Sequence, residues 1–172
     1  MAGDSQLIVV MGVSGCGKST IASAVAKHLN YTFVEADDFH SIENKRCMES
    51  GRPLTDQMRT PWINAIYDYL VTTIQSGERC VLSFSGLRET HRSKIRSAAT
   101  SVTTLYLNGP IDLIKSRMEK RQHHFMPSSL LESQYQALED PSFDPGTISV
   151  DIDCSIDELI ERSLTALRNS TP

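Results

Sequence analysis

"GVSGCGKST", residues 12–20, follows the apolar run "QLIVVM" of residues 6–11. The nine residues satisfy the pattern G-x-x-x-x-G-K-[ST], with Gly12 first, Gly17-Lys18-Ser19 last and Thr20 after it. Glycines at Gly12, Gly15 and Gly17 let backbone N–H groups, those of Ser14 and Cys16 among them, converge on phosphate oxygens without Cβ clashes. A helix opening near Lys18 adds the partial positive charge of its N-terminus. Lys18 is placed to reach the β and γ phosphates, and the Ser19 hydroxyl to ligate Mg²⁺. The loop lies between a predicted strand and a predicted helix, which separates it from a chance glycine-rich turn. It is read as the cradle of a nucleoside triphosphate, ATP with Mg²⁺.

Outward from the loop, short apolar strands alternate with helical patterns. Residues 6–11 read as a strand buried on both faces, and Ile21, Val25 and Leu29 recur at helical spacing. "TFVEA", residues 32–36, is a second strand running into Asp37 and Asp38. A polar stretch from His40 to Met58 mixes helix and loop, broken by "SGRP". Helices are predicted over 61–75, 89–99 and 111–121, and strands at "CVLSF", "VTTLYL" and "TISVDI". Ser129-x-x-Glu132 and Ser155-x-x-Glu158 read as capping boxes opening two more helices. The alternation predicts an α/β fold: about five parallel strands with helices on both faces, ligands meeting the carboxyl ends of the strands.

Length and composition narrow the class. The 172 residues suit one domain. Seventeen basic against 21 acidic residues leave a net charge of −4, which disfavours a nucleic-acid binder. No apolar run approaches the roughly 20 residues of a membrane span. "MAGDSQ" lacks the pattern of a secretory signal, so the expected compartment is the cytoplasm. Cys16, Cys47, Cys80 and Cys154 form no CxxC pair, and the expectation is reduced thiols. Cys16, beside phosphates at a helix N-terminus, is a candidate thiolate. Neither N-K-x-D nor D-x-x-G occurs, which excludes a GTPase reading, and the serines of "CVLSFSG" stand where a motor ATPase usually carries an acid. A chain this small leaves room for one acceptor pocket and a short lid, as in a small-molecule kinase.

The segment "ADDFHSIENKRCMESGRPLTDQMRTPW" carries a more specific pattern: Asp37 three residues before His40, then Asn44, Met48, Gly51, Pro53-Leu54, Asp56, Arg59 and Pro61-Trp62. With "SFSGLRETHR", "YLNG" and "RMEKRQHHFMPSSLLESQYQALEDP", it resembles the gluconate kinases, within the shikimate- and nucleotide-kinase-like group of P-loop kinases. The likeness runs from about Ile8 to Asp153, and departs from the family pattern at Cys47, Met58, Gly86 and His91.

The resemblance implies a P-loop kinase fold over residues 1–172, an acceptor-binding segment at about 38–62 and a lid at about 117–140. It implies transfer of the ATP γ-phosphoryl group to the 6-hydroxyl of D-gluconate, and a homodimer. The alternatives are a kinase for shikimate or a nucleoside monophosphate, and an ATP-binding module without turnover. Asp37 is the candidate base, or a holder of Mg²⁺ through water; a helix-capping role is its alternative. Arg59 and Arg92 are the candidates for the acceptor carboxylate, with His40, Ser85, Arg88 and His124 as further pocket residues. Arg117 and Arg121 are assigned to the triphosphate, one of them to adenine instead, against the alternative of a solvated helix face. Trp62 is read as core.

Overall fold

The computed structural model describes residues 5–120 and 129–170. Five strands, β1 (Leu7–Met11), β2 (Thr32–Glu35), β3 (Cys80–Phe84), β4 (Val102–Asn108) and β5 (Thr147–Asp151), form one parallel sheet in the order β2-β3-β1-β4-β5. Among the described residues seven helices connect or follow them: α1 (Lys18–Leu29), α2 (Ile42–Glu49), α3 (Asp56–Gln75), α4 (Glu89–Arg96), α5 (Ile111–Glu119), α6 (Ser129–Ala137) and α7 (Ile156–Asn169).

Why β1 is apolar without interruption follows from the two layers around it. Ile8 and Val10 pack with Ile21 and Val25 of α1, Ile114 of α5 and Leu159 and Leu164 of α7. Leu7, Val9 and Met11 pack on the other face with Trp62, Ile66 and Leu70 of α3 and Ile95 of α4. Successive strand side chains point to opposite faces, so a strand covered twice has no polar position to offer. Met11 is level with Phe84 on one side and Tyr106 on the other. The carboxyl ends of the three central strands thus lie together, and the glycine loop leaves from the middle one, where the chain order changes direction across the sheet.

Several boundaries differ from the sequence expectation. The third helix starts at Asp56, not Pro61, because Thr55 caps it: its hydroxyl accepts from the Met58 N–H at 3.2 Å. Pro61 sits inside that helix, in its second turn, where it has no N–H to give to the Gln57 carbonyl. The helix expected over 89–99 closes at Arg96, and β2 closes at Glu35, with residues 36–39 in a 3-10 turn. The Ser155 cap is present, its hydroxyl accepting from the Glu158 N–H, but the Glu158 carboxylate pairs with Arg162. Ser129 is already the first residue of α6, and Glu132 pairs with Lys115 at 2.8 Å, so that box is not formed as read. Among the described residues no helix is long and apolar enough to cross a membrane.

Candidate active site

The glycine loop packs tightly from below. Gly15 has φ +82°, and a Cβ there would stand 2.5 Å from Met118 Cγ, so α5 lies directly against the loop. A Cβ on Gly12 would meet Cys16 Sγ at 2.7 Å. Cys16 is fully buried within the core that includes Val13 and Ile114, so its backbone belongs to the loop and its sulfur to the interior. Lys18 Nζ donates to the Val13 carbonyl at 3.1 Å. Ser19 and Thr20 are exposed at the start of α1. The Ser19 hydroxyl donates to Glu35 at 2.5 Å and lies 3.4 Å from the Ser83 hydroxyl.

Beside the loop opens a cleft of about 590 Å³ including its mouth. Ser14 and Lys18 line it from the loop, Asp37 and His40 from the segment after β2, Arg59 and Trp62 from α3, Ser85 from the end of β3, and Ser133 and Gln134 from α6. Met48, Leu54 and Leu130 form a small apolar cluster in its wall. The 3-10 turn that carries Asp37 is fixed by Trp62, whose indole N–H donates to the Ala36 carbonyl at 2.7 Å. The His40 ring stacks on Trp62 with centroids 4.1 Å apart, and its Nε2 is 3.8 Å from Asp37. Burial lowers the His40 pKa to about 4 against the opposing pull of Asp37, so the ring is neutral near neutral pH. Its Nδ1 is buried and has no hydrogen-bond partner among the described residues.

The arginines divide. Arg59 reaches the cleft from α3 with its guanidinium 3.1 Å from Asp56, and burial holds its pKa below the ordinary value. Arg88 lies behind, 3.5 Å from Asp56 and 3.6 Å from Glu139, and does not line the cleft. Arg92 overturns its expected role. It is 4% exposed, forms an ion pair with Asp144 at 2.6 Å, and donates to the Gly86, Leu87 and Glu139 carbonyls. A guanidinium so committed anchors the loop before β5, and of the two arginines only Arg59 lines the cleft. Arg117 donates to the Ile152 and Cys154 carbonyls at 2.7 and 2.9 Å, which ties α5 to the loop after β5; its second terminal nitrogen is buried without a partner among the described residues. Arg121 and His124 lie outside the described residues, within the part of the expected lid, 121–128, that is not described.

Residues 7–141 match the family described as an AAA domain. The chain is 37% identical to a probable gluconokinase of Mus musculus over 94% of its own length and 97% of the other's. It belongs to the gluconokinase family. The thermosensitive gluconokinase of Escherichia coli is 37% identical over 97% of this chain and 89% of its own. The crystal structure of a gluconokinase from Sinorhizobium meliloti superposes with a TM-score of 0.85 at 41% identity, covering 94% of this chain and 91% of that one.

Two polar residues of this gluconokinase-family site escape a reading of the sequence alone. Glu35 passed for an ordinary strand residue, yet it closes β2 opposite Ser19. The signal available was an acid at the carboxyl end of the strand that follows the loop helix, where ligands collect. Gln134 lies on a helix 120 residues from Ser14 and accepts from its N–H at 2.7 Å. No local pattern announces such a pairing.

Proposed function

We propose that the chain is an ATP-dependent gluconokinase that phosphorylates D-gluconate at its 6-hydroxyl, giving 6-phospho-D-gluconate and ADP. The observation that carries the reading is the cleft, in which Lys18 of the phosphate loop shares one wall system with Asp37, His40 and Arg59 of the acceptor side. Full-length likeness to gluconokinases supports the same acceptor. In this reading residues 38–62 form the acceptor segment and 117–140 the lid, and the enzyme works in the cytoplasm as a homodimer.

The chain's own residues take the following parts. Lys18 offsets charge developing on the transferred phosphoryl group. Asp37 accepts the proton of the attacking hydroxyl. Neutral His40 lines the acceptor side of the cleft beside Asp37. Arg59 holds the carboxylate in a charge-assisted fork, and Ser85 adds a hydroxyl from the end of β3. Arg117 and Arg121 serve the nucleotide. The hydroxyl of Ser19 and the carboxylate of Glu35 are hard oxygen donors of the kind Mg²⁺ takes, and these two residues would hold it with the phosphates. Bound there, the ion neutralises phosphate charge and orients the γ group.

ADP release measured across gluconate, shikimate and nucleoside monophosphates tests the assignment. Gluconate is expected to stimulate turnover and the others not; stimulation by shikimate or a nucleotide alone would replace it.

A further inference from the structure

We infer that Gln134 is a positioning residue for phosphoryl transfer, its bond to the Ser14 N–H fixing the phosphate loop against the acceptor wall. The inference rests on the gluconokinase reading for its acceptor, but its geometry is independent of it. Ser14 is the third residue of the loop and is 9% exposed, and its N–H is taken by the Gln134 side-chain oxygen at 2.7 Å. Both residues also line the cleft that holds Lys18 and Asp37. Gln134 thus bonds to the phosphate loop and lines the cleft that the loop shares with the acceptor side.

The helix beneath it is braced on three sides. Leu131 is buried in the core under the loop, with Ile114 and Met118 of α5. Leu130 packs with Met48 and Leu54 of the acceptor segment. The Tyr135 hydroxyl donates to the Gly109 carbonyl at 2.8 Å, and the Glu139 N–H donates to the Leu87 carbonyl at 2.8 Å. A side chain on such a support holds its partner to within the tolerance that phosphoryl transfer needs, where a shift of about 1 Å costs on the order of a hundredfold in rate. The same bond joins α6, which lies within the segment read as the lid, to the phosphate loop.

The test compares Gln134→Met and Gln134→Glu with the wild-type chain. Kinetics are measured for ATP and gluconate, together with ADP release without acceptor and thermal melting. Methionine keeps the length and removes the acceptor oxygen. It is expected to lower kcat about tenfold or more, the factor that one lost hydrogen bond supplies, with the KM for ATP changed by less than about threefold. Acceptor-free ADP release falls by a similar factor, since water attacks the same phosphorus from the same cleft. Glutamate keeps an oxygen for the Ser14 N–H and recovers most of kcat, but raises the KM for ATP by bringing negative charge to the loop. A methionine variant with kcat within about twofold of wild type overturns the inference, as does an equal loss of ATP and gluconate use with a lowered melting temperature that glutamate fails to recover. If the wild-type chain ignores gluconate, the acceptor assignment falls alone, and the acceptor-free comparison still decides the role of Gln134.

Discussion

The Ser19 hydroxyl donates to the Glu35 carboxylate across 2.5 Å, joining the first turn of α1 to the end of β2. Asp37, two residues further, lines the acceptor cleft. In the proposed function the two carboxylates at this strand end are divided between tasks: Glu35, bonded to Ser19, goes with Mg²⁺, and Asp37, in the cleft, goes with the acceptor hydroxyl.

That division predicts two different kinetic defects. Glu35→Gln raises the Mg²⁺ concentration needed for half-maximal rate by about tenfold, the scale of a lost metal-site partner. Asp37→Asn leaves the Mg²⁺ requirement unchanged and lowers kcat by about 10²- to 10⁴-fold, the range of a lost general base. Asp38, exposed beside it, serves as the control, with Asp38→Asn close to wild type. Mg²⁺ titrations of initial rate on the three variants check this. Equal metal dependence in all of them would undo the division.

The two arginines taken from the sequence as a pair separate in the same way. Arg59→Ala removes a charge-assisted bond to the acceptor carboxylate, so gluconate use falls about 10- to 150-fold while ATP affinity and melting temperature hold. Arg92→Ala instead leaves Asp144, whose side chain is 10% exposed, paired with Arg96 but strips the Gly86, Leu87 and Glu139 carbonyls of their donor, and destabilises the fold by about 1–3 kcal/mol. Urea denaturation alongside steady-state kinetics distinguishes the two. Normal stability in the Arg92 variant would contradict its anchoring role.

His40 makes stability depend on pH in a stated window. Burial lowers its pKa from 6.5 to about 4 in the folded chain. Between those values the unfolded chain binds the extra proton, so folding is favoured fully above about pH 6.5 and loses on the order of 3 kcal/mol as the pH falls through about 4. Denaturation midpoints at about pH 7 and about pH 4.5 check this, with His40→Gln expected to show the smaller difference between them. An equal difference in both proteins would remove His40 from the account.

What the sequence disclosed depended on how local the cause was. The run "LIVVM" and the glycine loop announce themselves, because burial on both faces and convergence on phosphate each leave a continuous trace. Asp37, His40 and Arg59 were found through the family pattern, and the fold brings them to one cleft. Arg92 was misplaced because its partner, Asp144, is 52 residues away, and nothing near Arg92 marks it as taken. The direction of the Cys16 side chain is equally hidden: inside a phosphate loop it has two ways to point, and only packing against the core chooses. Trp62 was read as core and is 5% exposed, yet it also holds the turn beneath Asp37 and backs His40.

In the proposed function this cleft moves a phosphoryl group from ATP to the 6-hydroxyl of gluconate. Phosphorus NMR of the product formed from ATP, Mg²⁺ and D-gluconate tests it most directly. The account predicts a phosphomonoester coupled to the C6 methylene protons, formed in step with ADP, and no such signal with glucitol, which has no carboxylate for Arg59 to hold. A product bearing phosphate elsewhere, equal phosphorylation of glucitol, or ADP formed without any phosphorylated gluconate would contradict it.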